Sequence, residues 1–162
     1  ELNEENIKLE VKTSFEALKE IKDEMLSLVD KDTEAFNEVV KAMKMPKETD
    51  EEKALRKDAI DNATWQSIDV PHRVAVLSLE AMKKMYPIYK YGNENALTDV
   101  GVGYLMCATG AEGAILNVKI NLVSVMDIER AKKLELECNQ LLSEVTNLKN
   151  EVLVSIHDRL KI

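Results

Sequence analysis

The chain has 162 residues and a mass of 18.3 kDa, with 30 acidic against 22 basic side chains, a formal charge of −8 and a pI near 4.9. That charge argues against nucleic acid as a partner, and the length suits a single domain over residues 1–162. Aromatic residues make up 4% of the chain, and there are five glycines and three prolines, too few for the many turns of a sandwich or barrel. The expectation is therefore an all-α protein. No apolar run approaches the roughly 18 residues of a membrane span and no signal-like segment opens the chain, so a soluble, cytoplasmic protein is expected. Cys107 and Cys138 stand apart with no CxxC spacing and are read as reduced thiols. His72 and His157 are isolated, so no metal site is expected and both are read as packing or solvent-facing side chains.

From Glu1 to Met45 there is neither Gly nor Pro, and Ala, Leu, Glu, Lys and Met dominate, which predicts one long helix ending before Pro46. Thr49-Asp50-Glu51-Glu52 has the pattern of a capping box and predicts the start of a second helix. Val70-Pro71 is expected to interrupt that helix, because proline lacks a donor and disfavours helical geometry at the preceding residue. A third helix then runs from about His72 to Tyr91, with a kink at Pro87. Gly92-Asn93-Glu94-Asn95 reads as a stop and turn, and Thr98-Asp99 as the opening of a fourth helix. Four glycines and three alanines between Gly101 and Ala114 thin that fourth helix. Each helical glycine costs roughly 1 kcal/mol relative to alanine, so they call for close packing or a site. Beyond Asp127, apolar residues at Leu134, Cys138, Leu141, Val145, Leu148 and Val152 predict a last long amphipathic helix. The expected architecture is a bundle of about five helices with long first and last members.

Two residues or pairs break the helical pattern. Ile7, Val11, Leu18, Ile21, Met25 and Leu28 form an apolar stripe that continues through Ala35 and Val39, and Asp32 sits on the missing rung. An inward carboxylate either pairs with a cation or hydrogen-bond donor, or is desolvated and suited to moving protons. The periodicity leaves both open. Asn117 and Asn121, one turn apart in an apolar segment, either bond each other or a neighbouring helix, or recognise a ligand. Asp99 is either ordinary compensation of a helix dipole or a ligand contact. Lys47, Lys53 and Arg56 form either a solvated face or an anion grip.

Asp30-Lys31-Asp32-Thr33-Glu34-Ala35-Phe36, Met45-Pro46-Lys47, Glu51-Glu52-Lys53 with Arg56, Val70-Pro71, Gly92-Asn93, Thr98-Asp99-Val100 and Asn117-Val118-Lys119-Ile120-Asn121-Leu122 stand in fixed order and spacing. Together, from about Leu28 to Leu122, they resemble the cyclodeaminase domain of the formiminotransferase-cyclodeaminase family. The resemblance implies an all-helical, dimeric enzyme that converts 5-formiminotetrahydrofolate to 5,10-methenyltetrahydrofolate and ammonia, as in histidine degradation. It implies no cofactor, since the folate is itself the substrate. Relatives of the family include methenyltetrahydrofolate cyclohydrolases, and a non-catalytic helical interaction module is the reading from another class. On the family's pattern Asp32 is the catalytic acid/base. Lys47 and Arg56 match positions for a folate tail, which carries one or more glutamates, or for orienting Asp32; Asp99 and Asn121 match positions for the pterin. Phe36 is expected either to stack on the substrate or to fill the core beside Asp32. The family's N-terminal glycine-rich segment has no counterpart before Glu1, and the chain is expected to lack it.

Overall fold

In the computed structural model, which describes residues 3–160, four α-helices and one short 3₁₀ turn account for the secondary structure, and no strand occurs among the described residues. Helix α1 spans Glu4–Met43, α2 spans Asp50–Tyr91, α3 spans Leu97–Leu122 and α4 spans Ile128–Arg159, with the 3₁₀ turn at Glu94–Ala96. The connections are short, so consecutive helices run antiparallel.

The buried residues of α1 are Ser14, Ile21, Leu28, Ala35 and Ala42, one every seventh position. This narrow seam packs on α2, the one helix whose backbone α1 approaches. Ile21 and Leu28 meet Leu77 and Ala81 of α2 in a small apolar cluster of their own. The larger core lies between α2, α3 and α4, where Ile68, Met82, Tyr104, Ile115, Val118, Cys138, Val145 and Val152 are fully buried or nearly so. Tyr104 Oη donates to the carbonyl oxygen of Met82 at 2.7 Å, joining α3 to α2 inside that core. The last helix buries Ala131, Cys138, Leu141, Val145, Val152 and Ile156, in keeping with its 3–4 periodicity.

The expected second and third helices are one. α2 continues through both Pro71 and Pro87, and the bundle has four helices rather than five. Pro71 is buried, and Ile68, Ala75 and Leu77 on either side of it in sequence pack α2 into its two apolar clusters. An internal proline costs about 3 kcal/mol, and burial of so many side chains on either flank exceeds that sum.

The helix ends follow their sequence signals more closely. Thr49 Oγ1 accepts from the amide of Glu52 at 3.1 Å, and Glu52 Oε2 accepts from the amides of Thr49 and Glu48 at 3.0 and 2.9 Å, which completes the capping box. α2 stops at Gly92, where a Cβ would meet the carbonyl oxygen of Ile88 at 2.3 Å. Asp127 caps α4 by accepting from the amide of Arg130. α3 starts one residue before Thr98 without a side-chain cap, and Asp99 lies in its first turn.

Candidate active site

Because α1 and α3 both lie antiparallel to α2 without their backbones approaching one another, a trough remains between them with α2 as its floor. Its volume is about 690 Å³, within the size range of small-molecule sites. Met25, Leu28, Val29, Asp32 and Thr33 form one wall, Val70, Pro71 and Val74 the floor, and Met106, Thr109, Gly110, Gly113, Ala114 and Asn117 the other wall. The floor is where Pro71 removes an amide from the helix, and the far wall is where α3 is thinnest.

The glycines of α3 divide between two purposes. A Cβ on Gly101 would lie 3.2 Å from Ile156 Cδ1 of α4, and one on Gly103 would lie 2.9 Å from Met85 Sδ of α2, so these two permit close helix packing. Gly113 has open space around its missing Cβ, and Gly110 has only Ser78 Oγ at 3.6 Å. Those two hollow out the trough wall.

Asp32 stands on the α1 wall at the rung the periodicity marked, but in this chain its side chain is exposed along the trough and not buried in the bundle. The seam of α1 is narrower than the sequence stripe implies, so the rung beside it faces the trough. No hydrogen bond or ion pair of the Asp32 carboxylate is found among the described residues. Phe36 is 64% exposed, which overturns its reading as a core aromatic.

The other sequence candidates lie outside the trough lining. Lys47 is exposed in the loop between α1 and α2. Arg56 gives Nε and Nη2 to the carbonyl oxygen of Met43, at 3.2 and 3.0 Å, and so closes the end of α1. Asp99 lies at the opposite end of α3, 18 residues or about 27 Å of helix from Asn117. Asn121 is one turn beyond Asn117, and its Nδ2 donates to both the main-chain oxygen and Oδ1 of Asn117 at 3.1 and 3.2 Å. The residue that reaches the trough is thus Asn117, for which the sequence left open a bond to Asn121 or a neighbouring helix, or recognition of a ligand, while the family pattern marked only Asn121. The signal for Asn117 was the spacing Thr109, Gly113, Asn117, which puts small or polar residues along one helix face.

Several charged groups elsewhere pair across helices. Arg73 of α2 holds Glu24 of α1 through Nε and Nη2 at 2.6 and 2.8 Å, and its Nη1 is 3.4 Å from Glu80. The hydrogen bonds from Arg73 keep the Glu24 carboxyl below its ordinary range and hold the guanidinium above its own. His72 Nε2 lies 3.2 Å from Glu137 Oε1 but lacks hydrogen-bond geometry. Cys107 and Cys138 are free thiols, both pushed up by burial. Among the described residues no three His, Cys, Asp or Glu side chains gather to hold a metal, and no helix is long and apolar enough to cross a membrane.

The family profile described as formiminotransferase-cyclodeaminase matches residues 2–140 of this chain. The chain belongs to that family. It is 31% identical over 123 residues to the formimidoyltransferase-cyclodeaminase of Gallus gallus, covering 76% of this chain and 22% of that protein. It is 32% identical over 136 residues to the Mus musculus protein of the same name, covering 84% of this chain and 25% of that one. It is 28% identical over 153 residues to the methenyltetrahydrofolate cyclohydrolase of Methylorubrum extorquens, covering 94% of this chain and 74% of that protein. The chain therefore spans about a quarter of the two formimidoyltransferase-cyclodeaminases and about three-quarters of the cyclohydrolase.

Proposed function

We propose that this chain is a cyclodeaminase that closes 5-formiminotetrahydrofolate to 5,10-methenyltetrahydrofolate and releases ammonia, with Asp32 as the proton shuttle. The observation that carries the reading is the position of Asp32: a carboxylate without a protein partner, on the wall of a ligand-sized apolar trough, in a member of this family. In the reaction N10 attacks the carbon of the protonated formimino group, forming the second C–N bond of a five-membered ring. Asp32 takes the proton from N10 and delivers it to the former imino nitrogen. That nitrogen leaves as ammonia with the electrons of its C–N bond, and the methenyl cation remains. A carboxylate reaching both nitrogens contributes about 10²- to 10⁴-fold, and holding N10 against the carbon contributes much of the rest. No cofactor enters this scheme.

Met43 is 11 residues, about 16 Å of helix, beyond Asp32. An extended folate with its reacting nitrogens at Asp32 can lay its glutamate tail toward Lys47 and the Nη1 edge of Arg56 at that end, where further glutamates extend into solvent. Asp99 is too far along α3 to meet the same pterin in one chain, so its role requires a homodimer. The exposed Val102, Leu105, Met106, Leu116, Ile120 and Val123 of α3 support such an assembly. Its place of action is the cytoplasm.

The test is to supply 5-formiminotetrahydrofolate and follow methenyl absorbance together with ammonia. Both signals, lost in Asp32→Asn, are expected; a folded protein that yields neither refutes the reading. The long match to a methenyltetrahydrofolate cyclohydrolase supports a second reading, addition of water to the methenyl carbon in the same trough. Hydrolysis of methenyltetrahydrofolate with no ammonia from the formimino substrate would establish it instead.

A further inference from the structure

We infer that Asn117 is the trough's hydrogen-bond donor to the folate, and that Asn121 is a positioning residue that turns the Asn117 amide to face the ligand. This rests on the folate reading above. The orientation follows from which groups can only accept. The main-chain oxygen of Asn117 is such a group, so the Asn121 atom 3.1 Å from it is the Nδ2 donor. The same Nδ2 lies 3.2 Å from the Asn117 side chain, which must therefore present Oδ1 to it. Asn117 Nδ2 is left on the opposite side of its amide, with no acceptor among the described residues, on a residue that lines the trough.

The other polar side chains of the trough do not duplicate this donor. Asp32 accepts, and Thr33 Oγ1 is spent on the carbonyl oxygen of Val29 at 3.3 Å. Thr109 has a hydroxyl that both donates and accepts and is free to rotate. Asn117 alone is a donor of fixed direction, on the wall facing the carboxylate. A reduced pterin bound with N5 and N10 at Asp32 carries a ring carbonyl oxygen peri to N5. That oxygen is the acceptor the amide meets. Carboxylate on one wall and amide on the other set which edge of the pterin enters.

The test combines steady-state kinetics with binding of 5-methyltetrahydrofolate, a folate with no leaving group, to the full chain. Asn117→Ala is expected to raise KM and the Kd of 5-methyltetrahydrofolate about tenfold, with kcat within about twofold. Asn117→Asp, which turns the donor into an acceptor, raises both further. Asn121→Asp presents only acceptors to Asn117, so the Asn117 amide turns to donate to the introduced carboxylate and the loss equals that of Asn117→Ala. If Asn121 acts through Asn117, Asn121→Ala has no further effect in an Asn117→Ala background. An Asn121 effect that persists there, or Asn117 variants with KM and Kd within about twofold of the wild type, overturns the inference. Asp32→Asn separates it from the parent reading. Retained turnover in that variant with a weakened Asn117→Ala refutes the shuttle and leaves the donor standing, whereas a wild-type chain that binds no folate overturns both.

Discussion

Arg56 donates twice to the carbonyl oxygen of Met43, bridging the first turns of α2 to the last turn of α1 across 13 residues of chain. A cation placed at a helix C-terminus satisfies an orphan carbonyl and meets the negative end of the dipole. Whatever else it binds, this residue has a structural duty. Arg56→Ala is expected to lower stability by about 1–2 kcal/mol, read from the urea midpoint at constant m-value. Lys47→Ala, which removes an exposed loop cation, should leave the midpoint within about 0.5 kcal/mol while raising KM for polyglutamylated more than for monoglutamylated folate.

Asp32→Asn isolates the chemistry from the fold. The side chain is exposed and makes no bond that holds α1 in place, so the melting temperature should move by no more than about 2 °C. Turnover should fall about 10²- to 10⁴-fold, with KM changed far less. A drop in both stability and kcat would assign Asp32 a packing role in the assembled protein instead.

Gly113→Ala should separate stability from activity in the opposite sense. Open space surrounds the position of the new Cβ, so helix propensity alone predicts a gain of roughly 0.5–1 kcal/mol. The methyl group projects into the trough, and KM should rise. Gly103→Ala, where the Cβ would sit 2.9 Å from Met85 Sδ, requires Met85 to shift and should give no such gain. Thermal melts of both variants beside their kinetics test the contrast.

Acid should loosen the α1–α2 hairpin through two carboxylates. Arg73 holds Glu24 below its ordinary value of 4.5, and the amides of Thr49 and Glu48 do the same for Glu52. A depressed native value means the unfolded chain binds the proton more readily. The contribution is therefore complete above about pH 5 and drains away as pH falls through the lower native values. Glu24→Gln and Glu52→Gln should each lower the urea midpoint at pH 7 and flatten its decline between pH 5 and 3.

The helix ends were legible because they are local. A capping box needs four residues, and a stop at Gly92 needs a backbone that excludes a Cβ; both are written within a single turn. Pro71 was misread for the complementary reason. The rule that proline breaks a helix weighs one lost hydrogen bond and one clash, whereas the outcome depended on Ile68, Ala75 and Leu77 being buried against helices distant in sequence. Asp32 shows both sides of the matter. Its rung was visible in the period of α1, but its exposure was not, because how wide a stripe is buried depends on how many neighbours a helix has. The backbone of α1 approaches that of α2 alone, and it buries only every seventh residue.

By itself the sequence determined the helical class, the capping box of α2, the buried face of α4 and the family, since each rests on spacing along the chain. Which residues share a site was decided only by tertiary structure. The backbones of α1 and α3 both pack on α2 without approaching one another, and that separation puts Asp32 and Asn117, 85 positions apart in number, on opposite walls of one trough. The same geometry gives Asn121 to Asn117, Arg56 to the end of α1 and Asp99 to the far end of the bundle. Side-chain chemistry is inherited from residue type, but a binding site is a set of distances between helices, and those are fixed by packing.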